Sequence, residues 1–199
     1  MLKQFTRLTT PAGIAKWAWV SKADTKYNSD GEFKVTLVLE KDAAEPLINK
    51  IEKELKEFYA GLKAQGKKKI KEAVRPYGEE VDDEGDPTGN VEFKFKSKAK
   101  FVPRIPVFDS SGKPMTNVDV WSGSKIKVNT TLAPYSAGIG EGLSMRLNAV
   151  QVIDLVRGTN GTAEGYGFGE EDGYVHEDEE PSMEEEITIS EEVEDEGDF

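Results

Sequence analysis

The chain contains no cysteine and a single histidine among its 199 residues. Without thiols there can be no disulfide, no thiolate nucleophile and no cysteine-held zinc, and nothing in the sequence asks for an oxidising compartment. The one histidine, His176, lies in the last fifth of the chain, so no imidazole base is available to a folded core built from the earlier residues. No run of apolar residues reaches the length of about 18 that a membrane-spanning helix needs, and Met1–Phe5 has no apolar signal core. The expectation is a cytosolic protein with no membrane association.

A further absence divides the molecule. Between Gly158 and Phe199 there is no lysine or arginine, while 17 of the 38 acidic residues fall there. The net charge of −12 is therefore an average of two opposed segments, about +5 in residues 1–157 and −17 in residues 158–199. The first is long enough for one domain with a real core. The second has the composition of a disordered, acidic tail. It ends in Glu194-Asp195-Glu196-Gly197-Asp198-Phe199, an acidic-aromatic motif that a basic pocket with an apolar slot could grip.

Within residues 1–157 the apolar pattern is mostly of period two. Residues 14–20 read as a strand with Trp17 and Trp19 on one side and Lys16, Ala18 and Val20 on the other. A turn at Asn28–Gly31 leads to a second strand, Phe33–Leu39. The period then becomes helical, with Asp42 as a cap and Leu47, Ile48, Ile51, Leu55, Phe58, Tyr59 and Leu62 on one face, until Gly61 and Gly66 weaken it. Residues 79–90 read as a mobile acidic surface loop. From Val91 to Phe101 a strand sets Lys94, Lys96, Lys98 and Lys100 against Phe93, Phe95 and Phe101, which together with Phe33 are expected in the core. Further strand patterns occupy Val107–Phe108, Lys125–Leu132 and Leu143–Val156, the last with a bulge near Val150. The intervening Gly138–Gly142 reads as a flexible hairpin loop, lacking the lysine and hydroxyl of a phosphate-cradling motif. Five or more strands with one inserted helix and no βαβ rhythm predict a mainly β, OB-fold-like antiparallel barrel.

Catalytic chemistry finds little here. Asp82, Asp83 and Glu84 could hold a weak cation for a nuclease, but they read as a solvated loop, and no cofactor is called for. Sequence-tolerant binding of a single strand needs cations that follow phosphates and aromatic faces on which bases stack. Candidate cations are Lys3, Lys16, Lys34, Lys94, Lys96, Lys98, Lys100, Arg104, Lys125 and Lys127, and candidate platforms are Trp17, Trp19, Trp121 and Tyr135. The competing reading is a structural or chaperone-like interaction module shielded by its acidic tail.

Several segments, in order along the chain, carry a family resemblance: Gly31–Leu37, Arg75-Pro76-Tyr77-Gly78, Phe93–Lys96, Val107–Lys113, Gly123–Val128, Leu132–Tyr135 and the terminal Glu196–Phe199. Together they resemble the single-stranded-DNA-binding proteins of T-seven-like short-tailed bacteriophages. The resemblance implies an OB-fold domain over residues 1–157 and a tail over 158–199. It implies single-stranded DNA as partner in phage replication, recombination and repair, strand annealing, and recruitment of the phage DNA polymerase and helicase-primase through the tail. A homodimer and a location in the cytoplasm of the infected host follow from the same source. The family's DNA-contacting positions fall on Lys3, Lys96 and Tyr135, and its aromatic pair on Trp17 and Trp19. Asn129 and Asp30 stand where basic residues are expected, with Lys98 or Lys127 as the expected compensation.

Overall fold

The computed structural model describes residues 5–26, 28–116, 118–156 and 169. Lys3 and the tail motif Glu194, Asp195, Glu196, Asp198 and Phe199 lie outside the described residues, as does nearly all of 158–199. Eight strands and one helix follow in the order β1 (Arg7–Thr9), β2 (Gly13–Asp24), β3 (Glu32–Glu40), α1 (Lys41–Ala64), β4 (Tyr77–Val81), β5 (Pro87–Lys98), β6 (Val107–Phe108), β7 (Lys125–Ala137) and β8 (Gly140–Asp154).

The strands form one sheet in which β7, β2, β3, β5 and β8 close a five-membered ring through the β7–β8 pairing. The ring is antiparallel except where β8 runs parallel to β5. β1 adds to β7, β4 to β5 and β6 to β8 outside it. Closure leaves an interior that the alternating residues must fill. Phe33, Val35, Leu37, Phe93, Phe95, Ile126, Val128, Leu132, Met145, Leu147 and Val150 do so, all nearly inaccessible to water. The helix covers this core with Ala44, Leu47, Ile51 and Leu55. Its predicted cap is displaced. Lys41 is already helical, Glu40 takes the cap position without a side-chain hydrogen bond, and Asp42 sits in the first turn, where its charge suits the helix dipole.

The bulge expected near Val150 falls on Asn148. Asn129 pairs with Ala149 and Thr130 with Leu147, which leaves Asn148 without a cross-strand partner. The acidic stretch at 79–90 is a hairpin rather than a mobile loop. Asp82 organises its turn by accepting from the backbone amides of Glu84 and Asp86 at 3.0 and 2.9 Å, and Glu80 points into a buried site. Gly138–Gly142 is likewise a tight β7–β8 turn. Gly140 has φ of +131°, and a Cβ there would stand 2.6 Å from the Lys71 carbonyl oxygen. That contact exists because the segment after the helix lies across the hairpin. Glu141 accepts from the Lys67 ammonium and, at 2.7 Å, from the Lys71 amide.

Candidate nucleic-acid interface

The outer surface of the ring carries the residues that the interior rejects. Strand register places them in a row. Trp19 on β2 faces Lys34 on β3, Lys34 faces Lys96 on β5, and Lys96 faces Arg146 on β8. Arg146 in turn pairs with Thr131 on β7, and Thr131 with Arg7 on β1. Neighbouring strands are about 4.8 Å apart, so this line of one aromatic and four cations crosses six strands with a side chain every step. A parallel row runs Lys16, Thr36, Lys94 one pair away.

A bulge in β2 brings the tryptophans to this surface. The pairing shifts register between Lys16 and Trp19, and Trp17 adopts φ of +52°, a left-handed conformation costly for a bulky residue. The Trp17 amide donates to the Ser122 hydroxyl at 3.0 Å, which holds the bulge to the loop before β7. As a result Lys16 does not oppose the tryptophans, as simple alternation predicts, but shares their outer surface. Trp17 is 71% exposed, and Trp19 and Trp121 line one small cleft of about 230 Å³.

Two of the cations are neutralised within the protein. The Lys34 ammonium donates to Asp24 at 2.5 Å, and that hydrogen bond, followed by one from the Lys26 amide, holds the Asp24 carboxyl below its ordinary range. Lys16 pairs with Glu80, whose burial pushes its pKa up; the donors Lys16, Thr88 and Asn90 outweigh this and bring it down to about 2. Lys94 and Lys96 have looser partners in Glu92 at 2.8 Å and Glu32 at 3.8 Å. Lys98, Lys100, Arg104, Lys125 and Lys127 have no carboxylate partner among the described residues.

The structure brings Trp19, Lys34 and Lys96 together, sets Lys16 and Lys94 beside them, and puts Lys98 opposite Glu32 at the end of the same strand. Lys100 and Arg104 are exposed in the loop after β5. Lys125 and Lys127 lie towards the other end of β7, paired with Asp154 and Gln151 and away from the row. Tyr135 is half-buried at the hairpin end of β7, packed so closely that a Cβ on Gly142 would stand 2.9 Å from its hydroxyl. Asn129 is no vacant cation position. It donates to Thr9 and accepts from the bulged Asn148, both at 3.0 Å, in a polar ladder across β1, β7 and β8.

Sequence reasoning missed Arg7, Arg146, Phe5 and Phe101. Arg146 is the exposed residue of an otherwise buried stretch of β8, and its guanidinium lies 5.6 Å over the Phe5 ring. Phe101, expected in the core, is 75% exposed, because β5 ends at Lys98 and a turn carries the ring outward.

A closed five-stranded ring with a helix between its strands, and a basic, aromatic outer surface, defines an OB-type oligonucleotide-binding barrel. Residues 12–155 match the family described as single-stranded DNA-binding protein of bacteriophage T7, and the chain belongs to that family. The single-stranded DNA-binding protein of Escherichia phage T7 is 30% identical, over 96% of this chain and 97% of that protein. The corresponding protein of Enterobacteria phage T3 is 28% identical over 83% of each. In three dimensions the fold resembles the crystal structure of the phage T7 single-stranded DNA-binding protein gp2.5, with a TM-score of 0.64 and 26% identity, covering 87% of this chain and 100% of that one. The single-stranded DNA-binding protein of bacteriophage Enc34, solved in complex with ssDNA, shares the fold at a TM-score of 0.58 and 12% identity, over 76% of this chain and 88% of that one.

Proposed function

We propose that this chain binds single-stranded DNA without reading its sequence, along the row from Trp19 through Lys34, Lys96 and Arg146 to Arg7. The in-register alignment of that row across six strands carries the reading, because it gives a flexible polyanion a continuous track instead of scattered charges. Family membership supports it. The role is one of binding in phage replication, recombination and repair, in which strands are protected and annealed in the cytoplasm of the infected host. No catalytic step is assigned to the chain. Residues 158–199 serve as an internal competitor for the basic surface. The terminal Glu194, Asp195, Glu196, Asp198 and Phe199 dock the phage DNA polymerase and helicase-primase once DNA displaces them, and two chains pair as a homodimer.

The test is titration with oligo(dT) at several salt concentrations. Each neutralised phosphate contributes a slope of about 0.7 for single strands, so four to six contacts give about −3 to −4 in log affinity against log salt. Lys96→Ala is expected to weaken binding while leaving the melting temperature unchanged within a few degrees; Tyr135→Ala is expected to weaken binding as well, with a lower melting temperature because its ring is half-buried against Gly142. Tryptophan fluorescence should be quenched on addition of poly(dT). A slope near zero with no quenching would instead favour a protein-only interaction module.

A further inference from the structure

Between the end of β5 and the start of β8 the outer surface opens into a cleft of about 580 Å³ lined by Glu32, Lys96, Lys98, Phe101, Ser144 and Arg146, among others. We propose that this cleft is a nucleotide subsite in which the Phe101 ring stacks one base while Arg146 and Lys98 hold the flanking phosphates. The proposal rests on the single-strand reading above and adds a binding station that the sequence pattern hid.

The exposure of Phe101 is built into the fold. The backbone on either side of it is fixed: the Phe101 and Val102 amides both donate to the Lys98 carbonyl, at 3.0 and 3.1 Å, and Val102 and Ile105 turn inward against the core. The ring is thus held out into water by a tight turn, next to the cleft. A lone exposed phenylalanine is ordinary; one facing three cations is not. Lys96, Lys98 and Arg146 converge on the cleft, and the one carboxylate in its lining, Glu32, is 3.8 Å from the Lys96 ammonium. Neither Lys98 nor Arg146 has a carboxylate partner among the described residues.

Arg146 is oriented as well. Its guanidinium lies on the face of Phe5, which leaves its N–H groups free to point along the surface at an anion. The Ser144 hydroxyl adds a polar group with no partner among the described residues. A flat apolar face, planar and point cations and a hydroxyl in a cleft of this size match one nucleotide of a single strand. The position is also continuous with the row, since Lys96 and Arg146 belong to both.

The experiment measures anisotropy of a labelled oligo(dT) with the full-length protein and its variants. Phe101→Ala is expected to weaken binding about five- to a hundredfold, the equivalent of one lost base stack. Phe101→Trp should restore affinity and Phe101→Leu should not, because the stack needs a π face. Arg146→Gln should lower the salt slope by about 0.7. Unchanged affinity in Phe101→Ala, or rescue by leucine equal to that by tryptophan, overturns the subsite. Photocrosslinking of an oligonucleotide carrying 5-iodouracil to the unaltered protein gives a readout independent of folding, with the adduct expected on Phe101. A crosslink map that omits residues 96–104 overturns the proposal even if the variants prove unstable. If the unaltered protein ignores oligo(dT), the single-strand reading falls and takes the subsite with it. If it binds, and Lys96→Ala weakens it while Phe101→Ala does not, the subsite alone falls.

Discussion

Glu80 is 95% shielded from water, and its charge survives there because three donors meet it: the Lys16 ammonium, the Thr88 hydroxyl at 2.7 Å and the Asn90 amide at 3.0 Å. Its folded pKa of about 2 lies below the ordinary 4.5, so it contributes stability that is complete above pH 4.5 and is lost as pH falls towards 2. The shift corresponds to at most about 3 kcal/mol. Glu80→Gln should therefore lower the unfolding free energy at pH 7 by up to that amount and make little difference at pH 2, as urea titrations at the two pH values would show. An equal loss at both would assign the effect to geometry, not charge. Composition hid this residue, because Glu80 sits among exposed acids of the same kind and only the three-dimensional meeting with Lys16 distinguishes it. Phe101 was hidden for the opposite reason. Alternation from Phe93 and Phe95 carries it inward on paper, but parity ends where the strand ends, and no turn residue marks that point. Lys34 and Lys96 were legible because a polar residue between buried neighbours must face outward. That they face each other was not, since register depends on the partner strand.

At the scale of elements, the long periodic segments were readable, and of the short ones only β6 was, from the turn chemistry of Asp109–Gly112 that follows it. The helix and β2, β3, β5, β7 and β8 each have enough turns or alternations to declare a period. β1, at three residues, and β4, at five, do not, and they form because the edges of β7 and β5 offer them hydrogen bonds. The β2 bulge shows where pattern misleads, for a single extra residue moves Lys16 to the surface of the tryptophans. The β7–β8 hairpin carries a testable consequence. The post-helix segment lies on it so closely that Gly140→Ala must both adopt φ of +131° and push back the Lys71 carbonyl. We expect a loss of about 2–4 kcal/mol in chemical denaturation, larger than an exposed glycine substitution gives, whereas Gly138→Ala, with open space around it, should cost less than about 1 kcal/mol. Equal, small effects would show that the clasp by Glu141 is loose in solution.

For the whole molecule, the decisive quantity is charge. Residues 1–157 are near +5 and residues 158–199 near −17, yet the structure shows that the positive surface is already partly spent: Asp24 and Glu80 neutralise Lys34 and Lys16 from within the fold. The cations left to attract DNA are led by Lys96, Lys98, Arg146 and Arg7, and those same groups are the ones for which the proposed competition by residues 158–199 would be felt. Ending the chain at Arg157 removes the competitor without touching the barrel's internal pairs. The shortened protein should therefore bind oligo(dT) more tightly than the full chain at low salt, and its affinity should fall more steeply as salt rises, because an intramolecular polyanion no longer takes part in the exchange. The two affinities should converge near 0.5–1 M salt, where the Debye length is down to about 3 Å and the tail's field no longer reaches the groove. Equal affinities at low salt would mean that residues 158–199 do not occupy the basic surface. Deleting Phe199 alone separates the two roles proposed for this segment. Seventeen acids with or without one ring make nearly the same competitor, so DNA affinity should be unchanged, while capture of the phage polymerase and helicase-primase by the DNA-bound protein should fall, since a docking pocket reads the ring and an electrostatic competitor does not.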